Sequence, residues 1–215
     1  MRNLKMLGLA VVAALALTAL LGASSASAER LCKVEGPKDC LGQYYPVGTK
    51  IHAQLKPGTK LSITYGFVTQ SCKASTLDAE LTDAGGDPTA ELNTEVTAAV
   101  TGFTMQECTY PWTAESLGTL RLTWAGNSKQ YYNEEGLRLA YKGPEGTCVM
   151  RGAGENADGS HRLPGKYLLG GAPATISEVN TEYQKVSGTL ACPKAMFLTA
   201  EYEVTTPTPL FPTLK

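Results

Sequence analysis

Histidine, charge and helical pattern are all scarce in this sequence. His52 and His161 are the only histidines in 215 residues. Two histidines leave little for a Ser-His-Asp relay and remove most histidine-based metal sites. No G-x-S-x-G elbow and no H-E-x-x-H occurs, so neither hydrolase signature applies. No C-x-x-C occurs, and the wide cysteine spacing disfavours a thiolate metal site. Charged residues make up 18% of the chain, below the roughly 25% usual for soluble domains. The net charge is −1. Electrostatic binding to nucleic acid needs a basic patch, so nucleic acid is not an expected partner. Beyond the first 28 residues, no segment keeps a helical period for more than about two turns. No repeat of roughly 20–50 residues is evident, which disfavours a solenoid.

The amino terminus reads as an address. Arg2 and Lys5 form a short positive region, Met6 to Leu21 is almost unbroken apolar sequence, and Ala26-Ser27-Ala28 has the A-x-A form. That order defines a secretory signal peptide over residues 1–28. The apolar run of 16 residues is short for a bilayer span of about 20, so no span is expected after cleavage. Removing Arg2 and Lys5 takes the net charge from −1 to −3. The expected product is secreted or extracellular, with association to the cell envelope as the alternative, and the compact Ala-rich leader looks bacterial.

All six cysteines follow the leader: Cys32, Cys40, Cys72, Cys108, Cys148 and Cys192. An even count in a secreted chain reads as three disulfides. Fifteen connectivities are open, and pairing of neighbours is favoured: 32 with 40, 72 with 108, 148 with 192. Gly36-Pro37-Lys38-Asp39 is turn sequence that brings the first pair together.

Threonine supplies 24 of the remaining 187 residues, an excess that suits strands. Ile51, Ala53 and Leu55 alternate with polar neighbours, as do Leu120, Leu122 and Trp124, and Leu137, Leu139 and Tyr141. Lys56-Pro57-Gly58-Thr59 reads as a turn. Ten or eleven short strands at intervals near ten residues give an all-β fold. The expected fold is an antiparallel β-sandwich, Greek-key or jelly-roll-like, stapled by disulfides. A closed segment over residues 29–46 precedes the sandwich at 47–206. A Pro-rich tail at 207–215 is expected to be extended and PPII-like, with Leu210 and Phe211 docking on the sandwich. Thr109 to Ser116 has room for one helical turn.

Candidate sites are few. Gly152-Ala153-Gly154-Glu155-Asn156-Ala157 fits G-x-G-x-x-A, but it runs into Asp158-Gly159-Ser160. That is hairpin-loop sequence, not the opening of a helix. Glu155, Asn156, Asp158 and Ser160 lack the carboxylate density of a calcium loop. His52 falls on the polar face of its strand, and His161 sits beside the loop. Paired acids for a hydrolase exist in Glu134 with Glu135, read as turn residues, and in Glu201 with Glu203, read as a water-facing pair. Neither pair is expected to be catalytic, and no cofactor or metal is expected. Tyr110, Trp112, Trp124, Tyr131 and Tyr132 fall within 23 residues. Aromatic rings with polar tips suit stacking on sugars or amphiphiles. Trp112, Tyr131 and Tyr132 are therefore the candidate ligand-binding residues, while Trp124 is in phase with Leu120 and Leu122 and reads as core.

The ends of the chain carry a resemblance. It lies in Leu31-Cys32, the run Tyr45-Pro46-Val47-Gly48-Thr49-Lys50-Ile51-His52-Ala53-Gln54-Leu55, Cys192-Pro193 and Tyr202-Glu203-Val204-Thr205-Thr206-Pro207-Thr208-Pro209-Leu210. Together these resemble an uncharacterised group of secreted bacterial Thr/Gly-rich β-domains with many paralogues. More distantly, the chain is similar to secreted activators of alkane oxidation. The resemblance implies a secreted, disulfide-bonded β-domain and transfers no active-site residue. The functional expectation is a non-enzymatic structural or interaction module of the envelope or extracellular space. A binding module for glycans or amphiphiles is the second reading, and a carboxylate hydrolase the third.

Overall fold

The computed structural model describes residues 30–35, 40–85, 95–126, 129–143, 146–152 and 166–213, without the side chains of 123–126 and 129–135. The leader and most of the glycine-rich loop, residues 153–165 with His161, lie outside the described residues. The strands in chain order are β1 (Leu31–Cys32), β2 (Lys50–Leu55), β3 (Leu61–Tyr65), β4 (Val68–Asp83), β5 (Val96–Cys108), β6 (Trp112–Ser116) and β7 (Thr119–Gly126). They continue as β8 (Lys129–Glu135), β9 (Arg138–Gly143), β10 (Gly146–Gly152), β11 (Lys166–Leu169), β12 (Ala174–Ser187), β13 (Ala195–Thr206) and β14 (Phe211–Pro212). The described chain is nearly all β; one 3₁₀ turn occurs, at Cys40–Gly42.

Every ladder is antiparallel, and the ladders close. β2 pairs with β4, then β5, β7, β8, β11, β12 and β13 follow in order, and β13 pairs back to β2. The walls of the expected layers are thus joined into an eight-stranded girdle. A second girdle continues along the same axis. There β3 stands between β4 and β13, and β12 leads through β10 and β9 to β6. β6 then lies beside β5. The long strands β4, β5, β12 and β13 belong to both girdles. β2 and β3 form a fifth shared course, because both run antiparallel to β4: Gln54 faces Thr76 and Leu61 faces Cys72. The Lys56–Thr59 turn therefore does not reverse the chain. It makes a short excursion, held by Lys56 N donating to Glu201 O, and the strand resumes in the same direction.

Alternation decides which side chains enter. Ile51 and Ala53 in β2, Leu77, Ala79 and Leu81 in β4, and Leu120 and Leu122 in β7 are buried. The polar residues between them face outward, as period-two patterning requires. In β12 the phase shifts at Val179 and Asn180, where Glu178 and Thr181 flank a bulge with Asn180 at φ +53. Ala174, Ile176 and Glu178 point inward before the bulge, and Thr181 and Tyr183 after it. A bulge re-aims side chains without ending the strand.

Two expected local forms differ. Trp112 to Ser116 is a strand, not a helical turn: Trp112 and Ala114 face Tyr141 and Leu139 of β9, which buries the indole. Glu134 and Glu135 are also in a strand, facing Leu120 and Thr119, and the turn starts at Gly136 with φ +83.

The disulfides join Cys32 to Cys40, Cys72 to Cys108 and Cys148 to Cys192, the neighbour pairing that spacing favours. Both ends of the described chain cover one mouth of the first girdle. β1 pairs with β14, Leu31 and Leu210 are buried, and Leu210 and Gly171 exchange both backbone hydrogen bonds. The Pro207–Pro209 stretch bends instead of running as a PPII rod. Tyr45 OH donates to Pro209 O at 2.5 Å, and burial raises the Tyr45 phenol above its ordinary pKa. Behind this plug lies a cavity of about 30 Å³ lined by Leu31, Ile51, Ala98, Leu120, Leu122, Leu168, Ile176, Val204 and Leu210. A wholly apolar space of that size stays dry, and it is far below the ~150 Å³ that admits a benzene. The girdle is filled by its side chains.

Leu210→Ala is expected to lower the unfolding free energy by about 2–5 kcal/mol. The fully exposed Leu190→Ala should stay within about 0.5 kcal/mol of the parent. Guanidinium titration compares the two; equal midpoints would show that the tail adds nothing to the core.

Candidate functional site

Trp112 is core, which corrects its placement in an exposed aromatic patch. It is 4% exposed, its Nε1 donates to Gln70 Oε1 at 2.9 Å, and its ring centroid lies 4.6 Å from that of Tyr141. Gln70 Nε2 donates in turn to Tyr65 OH at 2.6 Å, and Tyr65 stacks on Tyr141 at 6.2 Å. This chain satisfies the polar atoms beneath the second girdle and leaves the indole no open face for a sugar ring. Tyr131 and Tyr132 lie on β8, facing Thr123 and Leu122; their side chains, like that of Trp124, are outside the described set. Glu155, Asn156, Asp158 and Ser160 are outside it as well. Glu201 accepts from Lys56 Nζ at 2.5 Å, and this contact holds the ammonium above its ordinary pKa. Glu203 is half-buried on the same face.

His52 lies on the outer, polar face, as its position in the alternation predicts. Its Nδ1 is 2.5 Å from Asp78 Oδ1, with both side chains about two-fifths exposed. Thr206, His52, Asp78 and Gly102 occupy successive register positions across four strands. Gly102 makes room for the carboxylate: a Cβ there would sit 3.1 Å from Asp78 Oδ2. The pair lines a concavity of about 460 Å³ with Lys50, Glu80, Thr101 and Thr206. Such a carboxylate fixes the imidazole's orientation. A hydroxyl nucleophile would have to lie within hydrogen-bond reach of the other ring nitrogen. The threonine beside it is engaged elsewhere: Thr205 Oγ1 donates to the His52 backbone carbonyl at 3.3 Å. Among the described residues there is no group of three or more side chains placed to hold a metal ion.

A buried ion pair sits where the girdles meet. Lys166 and Glu178 face each other across β11 and β12, with Nζ 4.0 Å from Oε2 and side-chain exposures of 0% and 6%. The Lys166 ammonium also lies 5.3 Å from the Tyr183 ring centroid. Nearby in register, Tyr202 OH and Ser75 Oγ are 2.9 Å apart. No sequence pattern marks Lys166 as internal, because it follows Leu163-Pro164-Gly165, turn sequence beside which lysine is ordinarily solvated.

The feature that sequence reasoning missed is the opposite end, where the hairpins turn. Gly66 and Phe67 form the β3–β4 tip, with Gly66 at φ +55. Residues 188–191 form the β12–β13 tip. β3 pairs with β13 at Thr64 and Phe197, so the tips project from the same end of the barrel. Phe67 and Leu190 are fully exposed, at 108% and 101%, and Val68 and Val186 are partly so. The Cys72–Cys108 and Cys148–Cys192 bridges both lie at this end. Gly188 packs so tightly against β10 that a Cβ would meet Cys192 Sγ at 2.5 Å and Thr147 O at 2.8 Å. The readable signal is an apolar residue placed directly in a glycine turn, at Gly66-Phe67 and Gly188-Thr189-Leu190.

Removing one member of a buried pair strands the other charge. Lys166→Met is expected to cost about 3–5 kcal/mol in denaturant titration, and Lys166→Met with Glu178→Leu to recover most of it. A single variant as stable as the parent would show that the pair is not an energetic constraint. No family model, no curated protein and no solved structure matches the chain.

Proposed function

We propose that the protein is an exported, non-catalytic interaction module of the cell envelope or extracellular space, engaging its partner through the hairpin end. The observation that carries this reading is the full exposure of Phe67 and Leu190 on neighbouring tips of a cross-linked scaffold. Isolated apolar residues on a surface are ordinary. Two large ones at loop tips, aimed the same way from a rigid base, are the arrangement of a contact surface. Three disulfides support an oxidising compartment. Among the described residues no helix is long and apolar enough to cross a membrane. The buried Trp112 weakens a glycan platform built on the aromatic cluster and moves the apolar contact to the tips.

Fractionation of the producing cells tests this reading. The parent chain is expected in the envelope or extracellular matrix fraction, crosslinked to its surroundings. Phe67→Ser with Leu190→Ser should release it, with folding intact by near-UV dichroism. Recovery of the parent only as a free monomer would overturn the proposal.

A further inference from the structure

The hairpin end has a second property besides its apolar tips. Lys142 is the penultimate residue of β9, Lys185 lies near the end of β12, and Lys194 precedes β13. Among the described residues none of the three has a carboxylate within ion-pair distance; Lys185 Nζ instead reaches Thr189 O at 3.4 Å. The acids described there are Glu107, paired with Lys73 at 3.2 Å, and Glu182, hydrogen-bonded by Gln184. Lys73, Lys142, Lys185 and Lys194 against Glu107 and Glu182 make this end +2, while the chain as a whole is −1. Counting Glu145, which lies between β9 and β10 in the sequence and outside the described residues, gives +1.

We propose that this end anchors the protein on an anionic lipid bilayer, with Phe67 and Leu190 entering the interfacial layer and Lys142, Lys185 and Lys194 meeting lipid phosphates. The inference rests on the reading that the hairpin end is the interacting surface. Two observations favour lipid over a protein partner. First, Phe67 and Leu190 are separate pegs on separate turns, Phe67 between Gly66 and Val68 and Leu190 between Thr189 and Ala191. A protein interface needs a contiguous patch of roughly 800 Å² per partner with a packed apolar centre. A fluid interface takes isolated pegs without shape complementarity, and aromatic and aliphatic residues beside lysine are what it retains. Second, the unpaired charge at this end has the sign that anionic headgroups attract, against the sign of the whole chain. The two disulfides at this end hold the tips in place, so little ordering is required on contact.

Co-sedimentation with vesicles tests the proposal, using residues 29–215, which keep every described residue and omit the apolar leader. Vesicles of phosphatidylglycerol with phosphatidylcholine are compared with phosphatidylcholine alone. The parent is expected to pellet with the anionic vesicles and to be released by salt well above physiological strength. Lys142→Gln, Lys185→Gln and Lys194→Gln together should weaken binding on the order of 100-fold, at about fivefold per lysine. Phe67→Ser with Leu190→Ser should weaken it at least tenfold at unchanged charge and unchanged melting temperature. Equal binding of that double variant would overturn the proposal, because adsorption would then be electrostatic alone; so would no binding of the parent to either vesicle. If vesicles are not bound but the double variant is still lost from the envelope fraction, the lipid partner falls while the hairpin surface stands. If the double variant stays on the envelope like the parent, both fall.

Discussion

The hydrogen-bonded seam where β13 meets β2 on one side and β12 on the other is the constraint on which the rest depends. It turns a twelve-stranded sheet into a closed girdle. An open sheet of that width would leave edge strands with unpaired backbone groups, ready to recruit other chains. Closure removes those edges in the first girdle. It also makes the four long strands structural members of both halves, so neither half has an interior independent of the other.

The two halves use that shared wall differently. The first is packed with aliphatic side chains, and the second with the Trp112–Tyr141–Tyr65 cluster and its Gln70 bridge. Between them, the β12 bulge lets one strand serve two interiors by resetting which residues point inward. Lys166 and Glu178 lie just before that reset. A charged pair there penalises a shifted register of β11 against β12, since a one-residue slip of β11 would turn Lys166 out of the barrel and leave Glu178 buried without it. Apolar residues alone would be far less discriminating.

Strand content, the disulfide pairs and the outward face of His52 were legible in the sequence because each follows from local pattern. Period-two alternation marks Ile51, Leu120 and Leu139, and chain proximity favours Cys32 with Cys40. Closure was not legible, because nothing local says that β2 touches both β4 and β13. The Lys56–Thr59 turn has the composition of a reversal, yet only the shared partners of β2 and β3 show that the chain carries straight on. Trp112 resembled a ligand-facing aromatic because Tyr110 and Pro111 hid the alternation that starts with it. Phe67 and Leu190 carry no local mark, since an apolar residue next to a strand fits the strand's own pattern.

Arg30 and Thr213 exchange hydrogen bonds at the plugged mouth: Thr213 N donates to Arg30 O at 3.0 Å and Arg30 N to Thr213 Oγ1 at 3.1 Å. The first and last described residues are therefore neighbours, although the whole barrel separates them along the chain. Topologically the described chain is almost a circle. A short linker across that gap would convert it into a cyclic protein with no free ends at the mouth, and a new opening placed in an outer turn would give a permuted chain with the same ladders. The same adjacency orders assembly: the mouth seals only when β14 pairs with β1, so the barrel stays unstoppered until those two strands meet.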